Sequence, residues 1–151
     1  MLDIAKELEK TLHIHSGELP FVDTGYGTET RLILARPKDR LYALQYRAQP
    51  GARSPLHKHQ NAILGYTLKG RWGHDEQYLY RPGTFIFETP GVVHQFMNGP
   101  EVSEALFIGD MILDFVDPET LEVTGGLDGP AMLDGYIKKC KEKGLSPRFI
   151  Q

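Results

Sequence analysis

Two histidines one residue apart are the first candidates for chemistry in this sequence. His57 and His59 flank Lys58 in GARSPLHKHQNAILGYTLKG, residues 51–70, between a turn and a run of strand-forming residues. Residues i and i+2 of a strand point to the same face, with side chains less than about 7 Å apart. Two imidazoles so placed can both bind one ion at about 2.0–2.1 Å. The pair is typical of half a metal site, which needs further ligands from elsewhere in the chain.

Three other histidines lack such a frame of turns and strands. His13 and His15 have the same spacing in LHIHSG, but no turns and strands surround them. We predict that they form an exposed pair at the end of the first helix and bind no metal. His74, in RWGHDEQ, falls where a hairpin tip is expected, and this predicts a solvated side chain.

The elements that must position the histidines are mostly short strands. Turn signals recur along the chain, and between them lie the runs RLILA, RLYALQYRA, ILGYTLKG, QYLY, TFIFET, HQFMN, ALFIG and ILDFV. Short strands at such close spacing predict an all-β sandwich or barrel. The length of 151 residues fits one domain, and we place its β-barrel over residues 18–126.

Helices are predicted only at the two ends. Residues 1–14 form a predicted N-terminal arm, because Ile4, Leu8 and Leu12 lie four residues apart behind Asp3 as a possible N-cap. Residues 129–144 form a predicted C-terminal helix with lysines near its end and Gly144 as its cap.

A second segment, PGTFIFETPGVVHQFMN, supplies a third histidine behind two glycine-containing turns. Together the two segments resemble the two motifs of the cupin superfamily. The first motif (Gly, five residues, His-x-His, three or four residues, Glu, six residues, Gly) falls on Gly51, His57, His59, Ile63 and Gly70. The second falls on Gly83, Thr89, Gly91, His94 and Asn98, with the proline displaced to position 90. The resemblance implies a double-stranded β-helix, or jelly-roll barrel, in which His57, His59 and His94 converge on one metal ion.

The alternative is that these histidines only pack inside an apolar barrel. Burying three such polar groups without partners would cost a few kcal/mol each. A shared ion is therefore the better explanation.

The glutamate of the first motif is absent, because Ile63 occupies its position. Three neutral imidazoles leave the full charge of a divalent ion in place, with about three open coordination positions. Such an ion favours an anionic, chelating ligand such as an enolate, together with dioxygen. Three-histidine cupins that cleave carbon–carbon bonds next to carbonyl groups use this arrangement.

A closer resemblance lies in the segments YTLKGRW, RPGTFIFE and YIKKCKEKGLSP. They resemble the family of 2,4'-dihydroxyacetophenone dioxygenase and, more distantly, the acetylacetone-cleaving dioxygenase, with a likeness from about Leu19 to the C-terminus. Lys58 and Phe87 depart from the family, where other histidines or a tyrosine are expected, and this leaves the substrate open. The resemblance implies iron(II) on the three histidines and a small carbonyl substrate, an α-hydroxyketone or a β-diketone. The substrate would bind through two oxygens as its enolate, and dioxygen would split its carbon–carbon bond, which for an α-hydroxyketone gives two acids.

One acidic residue is a candidate for the reaction itself. Glu88 lies six residues before His94 and matches an acidic residue near the metal in both dioxygenase groups. The resemblance implies that it accepts a proton or orients a ligand or the substrate. The alternative is a surface glutamate beside a turn.

Four further residues are candidates for the wall of the cavity. Alternation beyond His59 and His94 predicts that Asn61, Ile63 and Phe96 face the cavity. Trp72, the sole tryptophan, is a candidate for substrate binding, with core packing as the alternative.

Composition excludes several other functions. The net charge of −3 argues against nucleic acid or an acidic membrane surface as the main partner. Cys140 is the only cysteine, so neither a disulfide framework nor a thiolate cluster is possible. No apolar run approaches the roughly 18 residues of a membrane span, and the N-terminus lacks the order of a signal peptide. We therefore predict a cytoplasmic protein, and the open sheet edges of a small cupin predict a homodimer or homotetramer.

Other functions of a metal cupin stay open. Imidazole ligands accept many ions, so zinc, nickel or manganese can occupy the site as purified, and an isomerase or hydrolase is possible. A third alternative is a non-catalytic sensor like the zinc-binding domain of some anti-sigma factors. Those proteins carry an additional helical module, whereas only about a dozen predicted helical residues precede the strands here. The sensor is therefore the less favoured prediction.

Overall fold

The computed structural model describes residues 3–151, and most of its regular structure is β. The helices of this part of the chain are α1 (Ile4–Leu8) and α2 (Gly129–Glu142). The strands are β1 (Val22–Gly25), β2 (Thr28–Arg36), β3 (Leu41–Ala48), β4 (His57–His59), β5 (Ile63–Lys69), β6 (Trp72–Asp75), β7 (Tyr78–Tyr80), β8 (Phe85–Glu88), β9 (Val93–His94), β10 (Met97–Asn98), β11 (Ser103–Gly109), β12 (Leu113–Val116) and β13 (Val123–Leu127).

The strands form three antiparallel sheets. The largest has six strands in the order β1-β2-β3-β11-β5-β8. A four-stranded sheet has the order β13-β12-β4-β9, and a three-stranded sheet has the order β10-β6-β7. Neighbours that are distant in sequence, such as β3 beside β11 and β4 beside β12, give the jelly-roll arrangement. The prediction of a single-domain, all-β jelly-roll barrel is confirmed.

Helix α2 covers one part of the barrel. Asp128 caps its start by accepting a hydrogen bond from the Ala131 backbone N–H at 2.8 Å, which satisfies one free donor of the first turn. Tyr136 and Cys140 on its inner face are buried against residues of the six-stranded sheet. The Tyr136 hydroxyl donates to the Pro20 carbonyl oxygen at 2.8 Å. The helix is therefore held to the barrel by both apolar packing and a hydrogen bond. No helix of the described residues is long and apolar enough to cross a membrane.

The N-terminal arm is shorter than predicted. Asp3 caps α1 as expected, accepting from the Lys6 backbone N–H at 3.3 Å. However, α1 ends at Leu8, and the three residues of its predicted apolar face are exposed: Ile4, Leu8 and Leu12. A helix this short is marginal without tertiary packing, and the two apolar side chains of its predicted face on α1 itself, Ile4 and Leu8, are each 65% exposed. The first two residues of the predicted arm lie outside the described residues.

Turn residues of the two cupin motifs set the ends of the barrel strands. Gly70 has a φ of +66°, and a side chain at this position would collide with the Val102 backbone. Asn98 is buried and donates to three backbone carbonyl oxygens, those of Ala48, Gln49 and Glu101, at 3.1, 2.7 and 2.8 Å. These residues therefore hold the chain in place around the strands that carry the histidines.

The outer face of β5 and β8 is apolar and exposed. Cross-strand pairs join Leu64 to Phe87 and Tyr66 to Phe85, and Leu68 continues the same face. All five side chains are exposed, Phe85 to 64% and Phe87 to 58%. We call these five residues the β5–β8 patch; it lies at the edge of the six-stranded sheet, where β8 has no further neighbour.

Candidate metal centre

Strand pairing brings the three predicted histidines together. His57 and His59 lie two residues apart on β4, so their side chains share a face. His94 on β9 is the direct cross-strand partner of His57. The Gly91 backbone N–H donates to the His59 carbonyl oxygen at 2.8 Å, and this ties the turn before His94 to β4. The ring centroids are 5.0 Å apart for His57 and His59, 4.7 Å for His57 and His94, and 5.3 Å for His59 and His94.

The donor atoms of these histidines fit one metal ion. One ring nitrogen from each of the three lies within 4.8 Å of the others. The Nδ1 atom of His57 is 2.8 Å from the Pro55 carbonyl oxygen. A carbonyl can only accept, so Nδ1 carries the proton and Nε2 keeps a free lone pair. Within residues 3–151, His59 Nδ1 and His94 Nε2 are buried with no hydrogen-bond partner, which is costly unless something else binds there.

Two of the three histidines, His57 and His94, are held in the neutral form that a metal ligand requires. Burial lowers the pKa of His57 below its ordinary value. Burial, as the largest cause, also lowers the pKa of His94 to about 3. Neutral imidazoles have a lone pair to donate, whereas imidazolium has none. The geometry and the protonation of the cluster are therefore compatible with a divalent metal site.

A buried carboxylate faces the same cluster. The Glu88 side chain is only 5% exposed, and its Oε2 lies 3.1 Å from His59 Nε2 and 4.0 Å from His94 Nε2. Burial by itself would raise the pKa of Glu88, but hydrogen bonds from His59 and His74, helped by the neighbouring imidazoles, lower it to about 2. Glu88 is therefore not a surface residue, as the alternative interpretation has it, but a carboxylate beside the histidines.

The carboxylate of the site comes from a different strand than the cupin motif would place it on. Ile63 occupies the glutamate position of the motif on β5, and Glu88 on β8 is its direct cross-strand partner. Both side chains point inward, since burial alternates along both strands. A glutamate beside the cluster is thus present, but it is supplied by the neighbouring strand β8 and not by β5.

The prediction for His74 is wrong. His74 lies within β6, not at the tip of the hairpin, and its side chain is 19% exposed. Its Nε2 is 3.1 Å from Glu88 Oε1, its Nδ1 is 3.2 Å from the Tyr80 hydroxyl, and its ring stacks on His94 at 4.3 Å. The hairpin turns two residues later, between β6 and β7. Alternation from Trp72 along RWGHD could have found this, because residues 72 and 74 share a face.

The candidate cavity-wall residues divide into two groups. Ile63 and Phe96 line the cavity that contains the histidines. Trp72 does not: it is fully buried, stacks on Phe96 at 4.8 Å, and donates from Nε1 to the Thr67 hydroxyl at 2.9 Å. Asn61 is exposed and donates to Asp110 at 2.5 Å, because the chain turns between β4 and β5. His13 is exposed and His15 caps a short 3₁₀ turn at Ser16–Glu18, accepting from the Gly17 backbone N–H.

The cavity has a volume of about 390 Å³ and is lined mainly by apolar side chains. Of its lining residues, only Glu88 and Lys139 carry a formal charge. Such a size and lining are typical of sites for small organic ligands.

Fold and site together define a cupin with a three-histidine centre compatible with a metal ion. The sequence model described as the ChrR cupin-like domain matches residues 9–113. The chain belongs to this family. A search of curated proteins found no match.

Solved structures similar to this chain share its fold. A protein of unknown function with a cupin-like fold from Ralstonia eutropha JMP134 is 23% identical, with a TM-score of 0.83 over 94% of this chain and 92% of that one. An acetylacetone dioxygenase from Acinetobacter johnsonii is 15% identical, with a TM-score of 0.72 over 86% and 92%. A chain of the Rhodobacter sphaeroides complex of SigE with the anti-sigma ChrR is 17% identical, with a TM-score of 0.52 over 59% and 47%. At these identities the similarity concerns the fold alone.

Proposed function

We propose that this protein is a metal-dependent cupin dioxygenase that uses iron(II). Its reaction is the cleavage of a carbon–carbon bond next to the carbonyl group of a small α-hydroxyketone or β-diketone. The observation that carries the proposal is the convergence of three imidazoles and one buried carboxylate at a mainly apolar cavity. The fold shared with an acetylacetone dioxygenase supports the same reaction class.

The three histidines would hold the ion. When bound, iron(II) supplies Lewis acidity toward the substrate oxygens and redox chemistry with dioxygen. Because the imidazoles are neutral, they leave the charge of the ion available to an anionic, chelating substrate. The enolate of a hydroxyketone or diketone is such a substrate.

The other residues of the cavity would position the substrate. Glu88 Oε1 is held by His74, which is held in turn by Tyr80, while Oε2 faces the histidines. Glu88 Oε2 would accept the proton, or a hydrogen bond, from the enol form of the substrate. The apolar walls formed by Ile63 and Phe96 would keep water away from the reacting atoms.

The proposed reaction is balanced with dioxygen as the only co-substrate. An α-hydroxyketone plus dioxygen gives two carboxylic acids, and a β-diketone plus dioxygen gives an acid and a ketoaldehyde. The test is oxygen uptake by protein stripped of metal and reconstituted anaerobically with iron(II), screened against both classes. We expect one dioxygen consumed per bond cleaved, and zinc-reconstituted protein should be inactive. An iron-reconstituted sample that consumes no oxygen with any member of either class contradicts the proposal.

A metal-binding sensor is the second candidate function, and the family match favours it. The matched family is described by the ChrR cupin-like domain, and the SigE–ChrR complex contains a chain of similar fold. A sensor should retain zinc tightly and consume no oxygen with any metal. Protein that consumes no oxygen but isomerises or hydrolyses a substrate with zinc or manganese would instead be a metal cupin of another reaction class.

Ile63→Glu should place a second carboxylate beside Glu88, because the two positions are direct cross-strand partners. Like charges on opposed strands repel each other, and a buried charge is costly without a partner. We therefore expect metal-free Ile63→Glu to melt below the wild type, and a divalent ion to restore more stability than it adds to the wild type. Oxygen uptake should fall, since the added charge weakens the attraction of the ion for an enolate. The measurement is thermal melting with and without zinc, followed by oxygen uptake with iron.

The matched control for this change is Ile63→Gln, which has the same length and no charge. It should be destabilised both with and without zinc. If zinc raises the melting temperature of Ile63→Glu no more than that of Ile63→Gln, the side chain at position 63 does not reach the metal.

We further propose that a second copy of the chain covers the β5–β8 patch. Exposed apolar patches of this kind at a sheet edge mark protein contact sites. Phe87→Lys, at the centre of the edge strand, should therefore convert a dimer or tetramer to a smaller species in light-scattering measurements of molar mass. Tyr78→Lys is the control, because Tyr78 is equally exposed but lies on β7 of another sheet. A wild-type protein that is monomeric at tens of micromolar rules the proposal out.

A further inference from the structure

The cavity extends well beyond the histidines. From β4 it crosses β12 and β13 and ends at α2, with lining residues on each of these elements. In the register of the sheet, Leu113 is the direct partner of His59, and Leu127 is the direct partner of Leu113. Neighbouring strands lie about 4.8 Å apart, so Leu127 lies roughly 10 Å from His59. A small carbonyl compound held at the histidines would therefore not reach the far end of the cavity.

This distal part is apolar. Its wall is formed by six side chains from the six-stranded sheet, β12, β13 and α2: Leu44, Phe107, Leu113, Phe115, Leu127 and Met132. Phe115 is the cross-strand partner of His57, so the apolar surface begins directly beside the histidines. A substrate group that lies here gains affinity from burial of apolar area and not from charge.

Three of the polar groups that line the cavity away from the histidines are bonded within the protein. Tyr136 donates to the Pro20 carbonyl oxygen at 2.8 Å, and Lys139 donates to the Asp23 carbonyl oxygen. Thr28 donates to the Gly25 carbonyl oxygen at 2.6 Å. These groups therefore do not require polar partners on a ligand, and they leave the space between them suited to hydrocarbon.

A glycine in α2 leaves room at the same place. Gly135 lies in the middle of the helix and lines the cavity, and a Cβ built at this position meets nothing within 4 Å. Glycine weakens a helix interior, and no neighbouring atom forbids a larger residue here. Leu127, opposite this helix across the cavity, is 37% exposed, so this end opens to solvent.

We propose that the space between β12, β13 and α2 is a subsite for an extended apolar substituent of the carbonyl substrate. The ketone end would lie at the histidines, which rests on the proposed function, and the alkyl or aryl tail would lie along Leu113 and Leu127 toward Gly135. The substrate class is thus a hydroxyketone or diketone with a hydrocarbon tail, not a short diketone. The mouth at α2 is the place where the tail leaves the barrel.

The test is calorimetric binding of straight-chain methyl ketones of increasing length, from 2-butanone upward. These monoketones measure the tail subsite without iron, oxygen or turnover. In the wild type, each added methylene should tighten binding about fourfold over several steps, the value for burial of one methylene. Gly135→Phe should fill the far end, so that affinity stops rising at a shorter chain length.

The control variants change helix α2 without filling the cavity. Gly135→Ala should follow the wild type, because a methyl group fits there. Lys138→Phe adds the same ring on an exposed position outside the cavity and should also follow the wild type. Gly135→Leu is the second filling variant if Gly135→Phe does not fold by circular dichroism.

The outcomes separate the subsite from the reaction. Binding that does not depend on chain length in the wild type, or an unchanged series in the folded filling variants, overturns the subsite. A normal chain-length series in a protein that consumes no oxygen with iron contradicts the proposed dioxygenase and leaves the subsite standing.

Discussion

His94→Ala should lose its metal. His94 is the predicted ligand on β9, and its Nε2 is buried with no hydrogen-bond partner among the described residues. Without it, His57 and His59 on β4 alone remain, and two imidazoles from one strand hold an ion poorly. Loss of residues that merely orient ligands costs about 10–100-fold in metal affinity, so loss of a ligand should cost more than about 100-fold. The measurement is metal content per chain after dialysis against a chelator.

The control for this prediction is the double variant His13→Ala/His15→Ala. It removes a histidine pair of the same spacing, but His13 is exposed and His15 caps a 3₁₀ turn. It should keep one ion per chain. Because His94→Ala also loses the stacking of His94 on His74, circular dichroism should be used to check that the variant keeps its fold, which we expect it to do. A folded His94→Ala protein that retains its ion, or a double variant that loses it, would show that the ligand assignment is wrong.

Glu88→Gln should abolish most of the activity while the metal stays bound. The amide keeps the size of the side chain and one acceptor oxygen, but it loses the charge and presents N–H groups where His59 and His74 also donate. A positioned proton acceptor contributes about 10²–10⁴-fold to a rate. We therefore expect oxygen uptake to fall at least about 100-fold, with metal affinity reduced by no more than about 100-fold.

Two variants make the result specific to the Glu88 carboxylate. Glu76→Gln removes an exposed carboxylate at the tip of the β6–β7 hairpin and should leave the rate unchanged. Glu88→Asp keeps the charge on a shorter side chain and should recover part of the lost rate. If Glu88→Gln retains the wild-type rate at full metal loading, Glu88 takes no part in the reaction.

Much of the architecture followed from local patterns. Seven of the eight strand-forming runs correspond to β2, β3, β5, β7, β8, β11 and β12, since each carries enough branched and aromatic residues to form a strand anywhere in a half-buried sheet. The eighth run, HQFMN, is not one strand, because it contains the end of β9 and all of β10 with Gln95 and Phe96 between them. Strands β1, β6 and β13 were not predicted. They contain glycine, aspartate or threonine in place of a clear alternation, and pairing with neighbours decides their conformation.

The sequence by itself determined that His57 and His59 share a face, by alternation along one strand. The convergence of His94 with them was predicted from the resemblance to the two cupin motifs, and the pairing of β4 with β9 places His94 opposite His57. The all-β barrel followed from the short strand-forming runs and the turns between them.

The family resemblance already implied that Glu88 lies near the metal, but only the tertiary structure decided which strands and contacts surround the histidines. Glu88 supplies a carboxylate from β8 because β5 and β8 pair with Ile63 opposite Glu88, and His74 reaches the same carboxylate from a third sheet. Trp72 is buried in the core instead of lining the cavity, because Phe96 and Thr67 meet both its ring and its N–H. These contacts join residues that are distant in sequence, and their partners are set by how three sheets close around one space. Local spacing carries no information about that closure, since it depends on the packing of whole strands.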